Sequence, residues 1–149
     1  MRGISLEYEW STCLRLGYMT APGTWGSLVG VLMYGVFQFL PVGLHVLLWL
    51  MVAVYSIYAA SIVAHRLKLT DPQQIISDEV VGMWLVLICV EPGQIMSGIF
   101  AFILFRVFDI LKQGPVQWAE KFDGGLGIVA DDLMAAVLSA MVIFILRMA

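Results

Sequence analysis

Residues 42–64 read VGLHVLLWLMVAVYSIYAASIVA, a run without a single Asp, Glu, Lys or Arg. A helix over this run covers roughly 34 Å at about 1.5 Å per residue, enough to cross a hydrocarbon core of about 30 Å. Pro41 and Gly43 mark its start, and the polar stretch HRLKLTDPQQIISDE over 65–79 follows it. Its one group that titrates near neutrality, His45, is expected to be packed or membrane-facing.

Working outward from this segment, four more apolar runs appear. They are GSLVGVLMYGVFQFL at 26–40, VVGMWLVLICV at 80–90, residues 94–105, and residues 126–146, which are apolar except for Asp131 and Asp132. Glu91-Pro92-Gly93 reads as a turn. The runs are too long, and alternate too little, for the strands of a membrane barrel. The reading is therefore an all-α fold: a polytopic membrane helix bundle of about five membrane-embedded helices, some too short to cross alone. A short N-terminal interfacial helix precedes them, and 1–149 form one domain.

Composition agrees. The chain is 61% hydrophobic and 13% charged, against about 45–50% and about 25% for soluble domains. A net charge of −3 argues against nucleic acid as a partner. Cys13 and Cys89 form no metal-ligand spacing and read as reduced apolar residues. No cleavable leader is expected, because Glu7 and Glu9 stand where its apolar core should lie. With alternating passes, Arg2, Arg15, Arg66, Lys68, Arg106, Lys112 and Lys121 fall on one side and Arg147 on the other. The positive-inside tendency makes the first side cytoplasmic.

Four polar clusters fall on that same side: Gly23-Thr24-Trp25-Gly26-Ser27, Asp78-Glu79, the Arg106, Asp109, Lys112 series, and Asp131-Asp132. Ionised carboxylates at membrane depth need water, a counter-ion or a metal. Asp131 and Asp132 are adjacent and repel one another, and a divalent cation relieves that repulsion. Hard oxygen ligands suit magnesium or manganese better than zinc. Each acidic pair alone also fits a solvated helix start stabilised by the helix dipole. Arg106, Asp109 and Lys112, spaced i, i+3, i+6, fit either an ion-pair ladder or a phosphate clamp. Thr24, Gly26 and Ser27 fit a phosphate seat at a helix start as well as simple capping. Several absences exclude other chemistry: a C-x5-R loop, a D-x-D-x-T stretch, a Walker A motif and the motifs of histidine-dependent lipid phosphatases. Asp123-Gly124 begins like a CDP-alcohol phosphotransferase signature but continues differently.

Taken together, APGTWGS (21–27), SDEVVGMW (77–84), FRVFDILKQGPVQW (105–118) and GGLGIVADD (124–132) resemble the bacterial phosphatidylglycerophosphatase A family in order and spacing. The resemblance covers nearly the whole chain. Many members have Lys-Pro before the next proline, where this chain has Lys112-Gln113-Gly114-Pro115. The resemblance implies a magnesium-dependent enzyme of the bacterial inner membrane. It would remove the terminal phosphate of phosphatidylglycerophosphate to leave phosphatidylglycerol, with membrane lipids around it. Asp78, Glu79, Asp109, Asp131 and Asp132 are the expected Mg²⁺ ligands and catalytic carboxylates. Arg106, Lys112 and the Thr24, Gly26, Ser27 turn are expected at the substrate phosphate. Attack by water activated on the ion is favoured over a covalent aspartyl intermediate. The alternatives are a small transporter or channel subunit, a structural membrane protein, and a phosphatase for another lipid phosphate. The oligomeric state, a homo-oligomer included, is left open.

Overall fold

The structure is a computed structural model, and it describes residues 5–90, 94–119 and 121–148. Arg2 and the turn expected at Glu91-Pro92-Gly93 lie outside the described residues. Every regular element among the described residues is helical, as the run lengths predicted. Seven α-helices follow in order: α1 (Leu6–Ser11), α2 (Pro22–Phe37), α3 (Val42–Leu67), α4 (Ser77–Ile88), α5 (Ile95–Leu111), α6 (Pro115–Ala119) and α7 (Gly125–Met148). A 3₁₀ turn at Leu16–Tyr18 joins α1 to α2.

The five longer helices correspond to the five apolar runs, with shifted ends. α2 starts at Pro22 rather than Gly26, because proline's fixed φ and missing N–H suit the first helical position. α5 continues through Arg106 and Asp109 to Leu111. It stops where Lys112 takes a left-handed conformation, φ 43°, and donates its backbone N–H to the Phe108 carbonyl. After Gly114, φ +61°, Pro115 opens α6, so Lys112-Gln113-Gly114 form a tight connection between two helices.

Only α3 and α7, of the described helices, are long and apolar enough to cross a membrane. Their most apolar windows are only 28% and 44% buried within the protein. Leu50, Val54 and Tyr58 on α3, and Phe144 and Ile145 on α7, are exposed. Apolar surface on that scale fits a lipid environment. A bundle of five full spans is not what the helix lengths give, since α4 covers only about 18 Å at 1.5 Å per residue.

α4 is nevertheless the centre of the molecule. It packs against α2, α3, α5 and α7. Val80, Val81, Met83, Trp84 and Val86 on it have no exposed surface. A helix apolar on all sides belongs in a core. α2 approaches α4 closely through glycine: a Cβ at Gly26 would lie 2.7 Å from the Ile76 carbonyl oxygen, and one at Gly30 would lie 2.7 Å from that of Val80. Indole N–H groups bind the remaining elements. Trp84 donates to Nε2 of His45 at 2.7 Å, Trp49 to the Val81 carbonyl at 3.0 Å, and Trp10 of α1 to Ser56 Oγ of α3 at 2.9 Å. His45 is thus packed inside the bundle, as one of its two sequence readings had it.

Candidate active site

Because α4 is central, its N-terminus delivers Asp78 and Glu79 to the middle of one end of the bundle. Acidic residues are favoured there by the helix dipole. α2 starts at the same end, α5 finishes there, and α7 starts there. Asp131 and Asp132 sit two turns inside α7, Asp109 in the last turn of α5. The connectivity thus gathers side chains from four helices around the start of α4.

Asp78, Glu79 and Asp132 each direct a carboxylate oxygen so that these atoms lie within 4.8 Å of one another. Asp109, buried in the last turn of α5, brings its carboxylate to the same end of the bundle. Asp78, Asp109, Asp131 and Asp132 are 8%, 7%, 3% and 2% exposed, so solvent contributes little to neutralising them. Arg106 donates to Oδ2 of Asp109 at 2.5 Å, and Lys112 Nζ donates to Oδ2 of Asp131 at 2.6 Å. The backbone N–H of Asp132 donates to Oδ1 of Asp131 at 3.0 Å. Burial alone would lower the Lys112 pKa, but the Asp131 hydrogen bond and charge outweigh it and hold that ammonium above its ordinary value.

Two cations face five carboxylates, so the fully ionised cluster carries an excess of three negative charges in a poorly hydrated space. Such a cluster must take up protons or a cation. Asp78 Oδ1, Glu79 Oε2 and Asp132 Oδ2 are buried oxygens without a hydrogen-bond partner. Buried acceptors are normally satisfied, and three unsatisfied ones on converging carboxylates fit a hard divalent cation. Magnesium, with its preference for carboxylate oxygen and retained water, suits this donor set.

The α2 turn meets the cluster through Gly23. A Cβ built there would fall 2.4 Å from Glu79 Oε1 and 2.7 Å from both terminal nitrogens of Arg106. Thr24 lines a groove of about 460 Å³ together with Arg106, Phe102, Ile103 and Val107. Ser27 is fully buried and its hydroxyl donates to the Gly23 carbonyl at 2.9 Å, while Gly26 faces Ile76 and the Glu79 Cβ. Of the turn residues, Thr24 is the one that shares an open groove with Arg106.

Two features escaped the sequence reading. In the sequence Gly23 reads only as part of a small-residue turn, although it makes the α2 backbone the wall of the site. Asp71, read as part of a polar loop, joins Lys121, Asp123 and Asp131 around a cavity of about 330 Å³ beside the cluster. The loop residue carries no motif, and only folding brings it to Asp131.

Residues 10–147 match the family model Phosphatidylglycerophosphatase A. The chain is 31% identical over 124 residues to Phosphatidylglycerophosphatase A of Escherichia coli K12, covering 83% of this chain and 72% of that protein. It is 34% identical over 130 residues to the Haemophilus influenzae protein of the same name, covering 85% and 79%. It is also 35% identical over 134 residues, covering 85% and 84%, to a Bacteroides thetaiotaomicron protein provisionally named phosphatidylinositol-3-phosphatase. No solved structure matches the chain.

Proposed function

The chain belongs to the phosphatidylglycerophosphatase A family, and from that premise we propose that it is a membrane phosphatase that hydrolyses the terminal phosphomonoester of phosphatidylglycerophosphate, releasing phosphatidylglycerol and inorganic phosphate. The observation that carries this reading is the convergence of Asp78, Glu79, Asp109, Asp131 and Asp132 with Arg106 and Lys112 at one end of the bundle. A transporter would place such groups along a path near the midplane.

Asp78, Glu79 and Asp132 would hold Mg²⁺, with Asp109 and Asp131 beside them. When bound, the ion supplies charge neutralisation for the phosphate and lowers the pKa of a water. Arg106, whose planar fork matches phosphate oxygens, binds the phosphate from the Thr24 groove, and Asp109 holds its guanidinium in place. Lys112 holds Asp131 and adds positive charge where negative charge develops in the transition state. Gly23 and Gly26 keep the α2 backbone close to Glu79. Ser27 fixes the first turn of α2 through its bond to Gly23.

Arg15, Arg66, Lys68, Arg106, Lys112 and Lys121 lie at the site end of the chain's passes, and Arg147 at the other. This asymmetry supports a multi-pass protein of the bacterial inner membrane with its site facing the cytoplasm. The lipid's acyl chains then remain in hydrocarbon while its phosphate reaches the cluster. A second reading, another lipid phosphomonoester as substrate, is favoured by the likeness to the Bacteroides protein.

The test is phosphate release by the purified full chain in detergent, with and without Mg²⁺, from phosphatidylglycerophosphate and phosphatidylinositol 3-phosphate. Mg²⁺-dependent release from the first and much slower release from the second is the expected result. Preference for the second would move the substrate to the other reading, and release from neither would overturn both.

A further inference from the structure

α2 and α5 both pack on α4 yet make almost no contact with one another. The space between them is an open furrow. Its upper part, about 520 Å³, is walled by Leu28, Val31 and Gly35 of α2 and by Gly98, Ile99 and Phe102 of α5, over a floor that includes Leu87 of α4. Phe102 also lines a lower groove that holds Thr24 and Arg106 and continues along α5 to Leu111. The two spaces therefore adjoin at Phe102, and the lower one touches α2 at Thr24.

Helical spacing makes this continuity specific. Thr24, Leu28, Val31 and Gly35 share one face of α2, and Gly98, Phe102 and Arg106 share one face of α5. The faces that carry the polar groups at the site are the faces that carry the apolar walls. From Thr24 to Gln38, which lines the far end, α2 extends about 21 Å. One leaflet of the hydrocarbon core is about 15 Å deep. Glycine widens the furrow on both sides: a Cβ at Gly35 meets nothing within 4 Å, and one at Gly98 meets only Leu87 Cδ2 at 4.0 Å.

We propose that the α2–α5 furrow seats one acyl chain of the lipid substrate, which enters sideways from the membrane and slides its phosphate toward Arg106. This rests on the lipid-phosphatase reading. An apolar channel at least one leaflet deep that leads to a phosphate-binding arginine fits an amphiphile whose charged end is a phosphate and whose tail is a single hydrocarbon chain.

The furrow glycines give a clean test, because Gly98→Phe and Gly35→Phe fill open space and raise helix propensity. Gly43→Phe, at another glycine where an added Cβ meets nothing, is the control outside the furrow. The purified full chain in detergent is assayed with dioleoyl- and dihexanoyl-phosphatidylglycerophosphate. The furrow variants are expected to lose at least tenfold in kcat/KM for the long-chain lipid through a rise in KM. They should stay within twofold of wild type for the short-chain lipid, and Gly43→Phe should not change the ratio. An unchanged ratio, or an equal loss on both lipids, overturns the proposal.

Independently of turnover, the wild-type chain is photolabelled with dioleoyl-type phosphatidylglycerophosphate bearing a diazirine in its tail. Labelling of α2 and α5 peptides that unlabelled substrate displaces supports the seat. Equal labelling by a diazirine phosphatidylcholine that substrate does not displace assigns the furrow to bulk lipid and overturns it. A change from a larger to a smaller particle on size exclusion in both furrow variants assigns it to a second copy and also overturns it. A wild-type chain inactive on both lipids defeats the phosphatase reading itself, and labelling then decides the furrow separately.

Discussion

Gly23 holds the α2 backbone against the Glu79 carboxylate: a Cβ on Gly23 would lie 2.4 Å from Oε1 of Glu79, closer than any real contact, with both terminal nitrogens of Arg106 at 2.7 Å. A methyl group there must displace one or both side chains. Both are the ends of flexible chains, so the fold should survive. Misplacing catalytic groups by about 1 Å can cost about 10²-fold in rate. Gly23→Ala is therefore expected to lower kcat/KM by about 10–100-fold while the helical circular-dichroism signal and melting temperature stay near wild type. Wild-type kinetics would show that Glu79 and Arg106 need not stand where they do.

Asp132→Asn removes one charge from a crowded cluster. Turnover should fall by about 10²–10³-fold, in line with removal of a group central to electrostatic catalysis. Melting without Mg²⁺ should stay level or rise, because repulsion among buried carboxylates is relieved. The stabilisation that Mg²⁺ gives the wild type, which follows from preferential binding to the folded state, should disappear. Melting curves at several Mg²⁺ concentrations check all three variants Asp78→Asn, Glu79→Gln and Asp132→Asn. A full Mg²⁺ response in each would remove these residues from the metal site.

Arg106→Lys keeps the charge and loses the fork. If Arg106 grips phosphate with two nitrogens, kcat/KM should drop by about 10–100-fold, equivalent to about 1.4–2.8 kcal/mol. An unchanged value would leave Arg106 as no more than the partner of Asp109.

Lys112→Met strands Asp131, whose side chain is only 4% exposed. An unsatisfied buried charge costs about 1–3 kcal/mol or more, and the partly solvated lysine places the expected loss toward the lower end. Adding Asp131→Asn should restore most of the stability but none of the activity. Equal losses in the single and double variants would show that the pair does not interact.

Cys13 is buried, and burial together with the nearby Glu79 charge pushes its thiol up to about 12. At pH 8 the thiolate fraction is then about 10⁻⁴, since each pH unit is tenfold. Maleimide should leave Cys13 unmodified at pH 8 in the folded protein and modify it after denaturation in detergent. Rapid labelling of the folded chain, read by peptide mass spectrometry, would contradict the buried position.

The uncharged run at 42–64 and the polar breaks around it decided by themselves that the chain is helical and where its five longer helices fall. Apolar patterning and helix length are local properties, and both can be read from consecutive residues. The one-sided placement of acidic pairs and basic residues was equally legible, because alternating passes return every second connection to the same end.

Depth and adjacency were not legible. Apolarity alone could not distinguish α4, short and enclosed on every side, from α3, long and exposed along much of its length. Nothing in the sequence paired Asp78 and Glu79 with Asp132 rather than with Asp131, which Lys112 takes. Nor did it place Asp71 beside Asp131, or open a furrow between α2 and α5. The chain's own pattern fixed which residues lie at one end of the bundle. Only the packing of helices around α4, an interaction between segments far apart in sequence, decided which of those side chains touch.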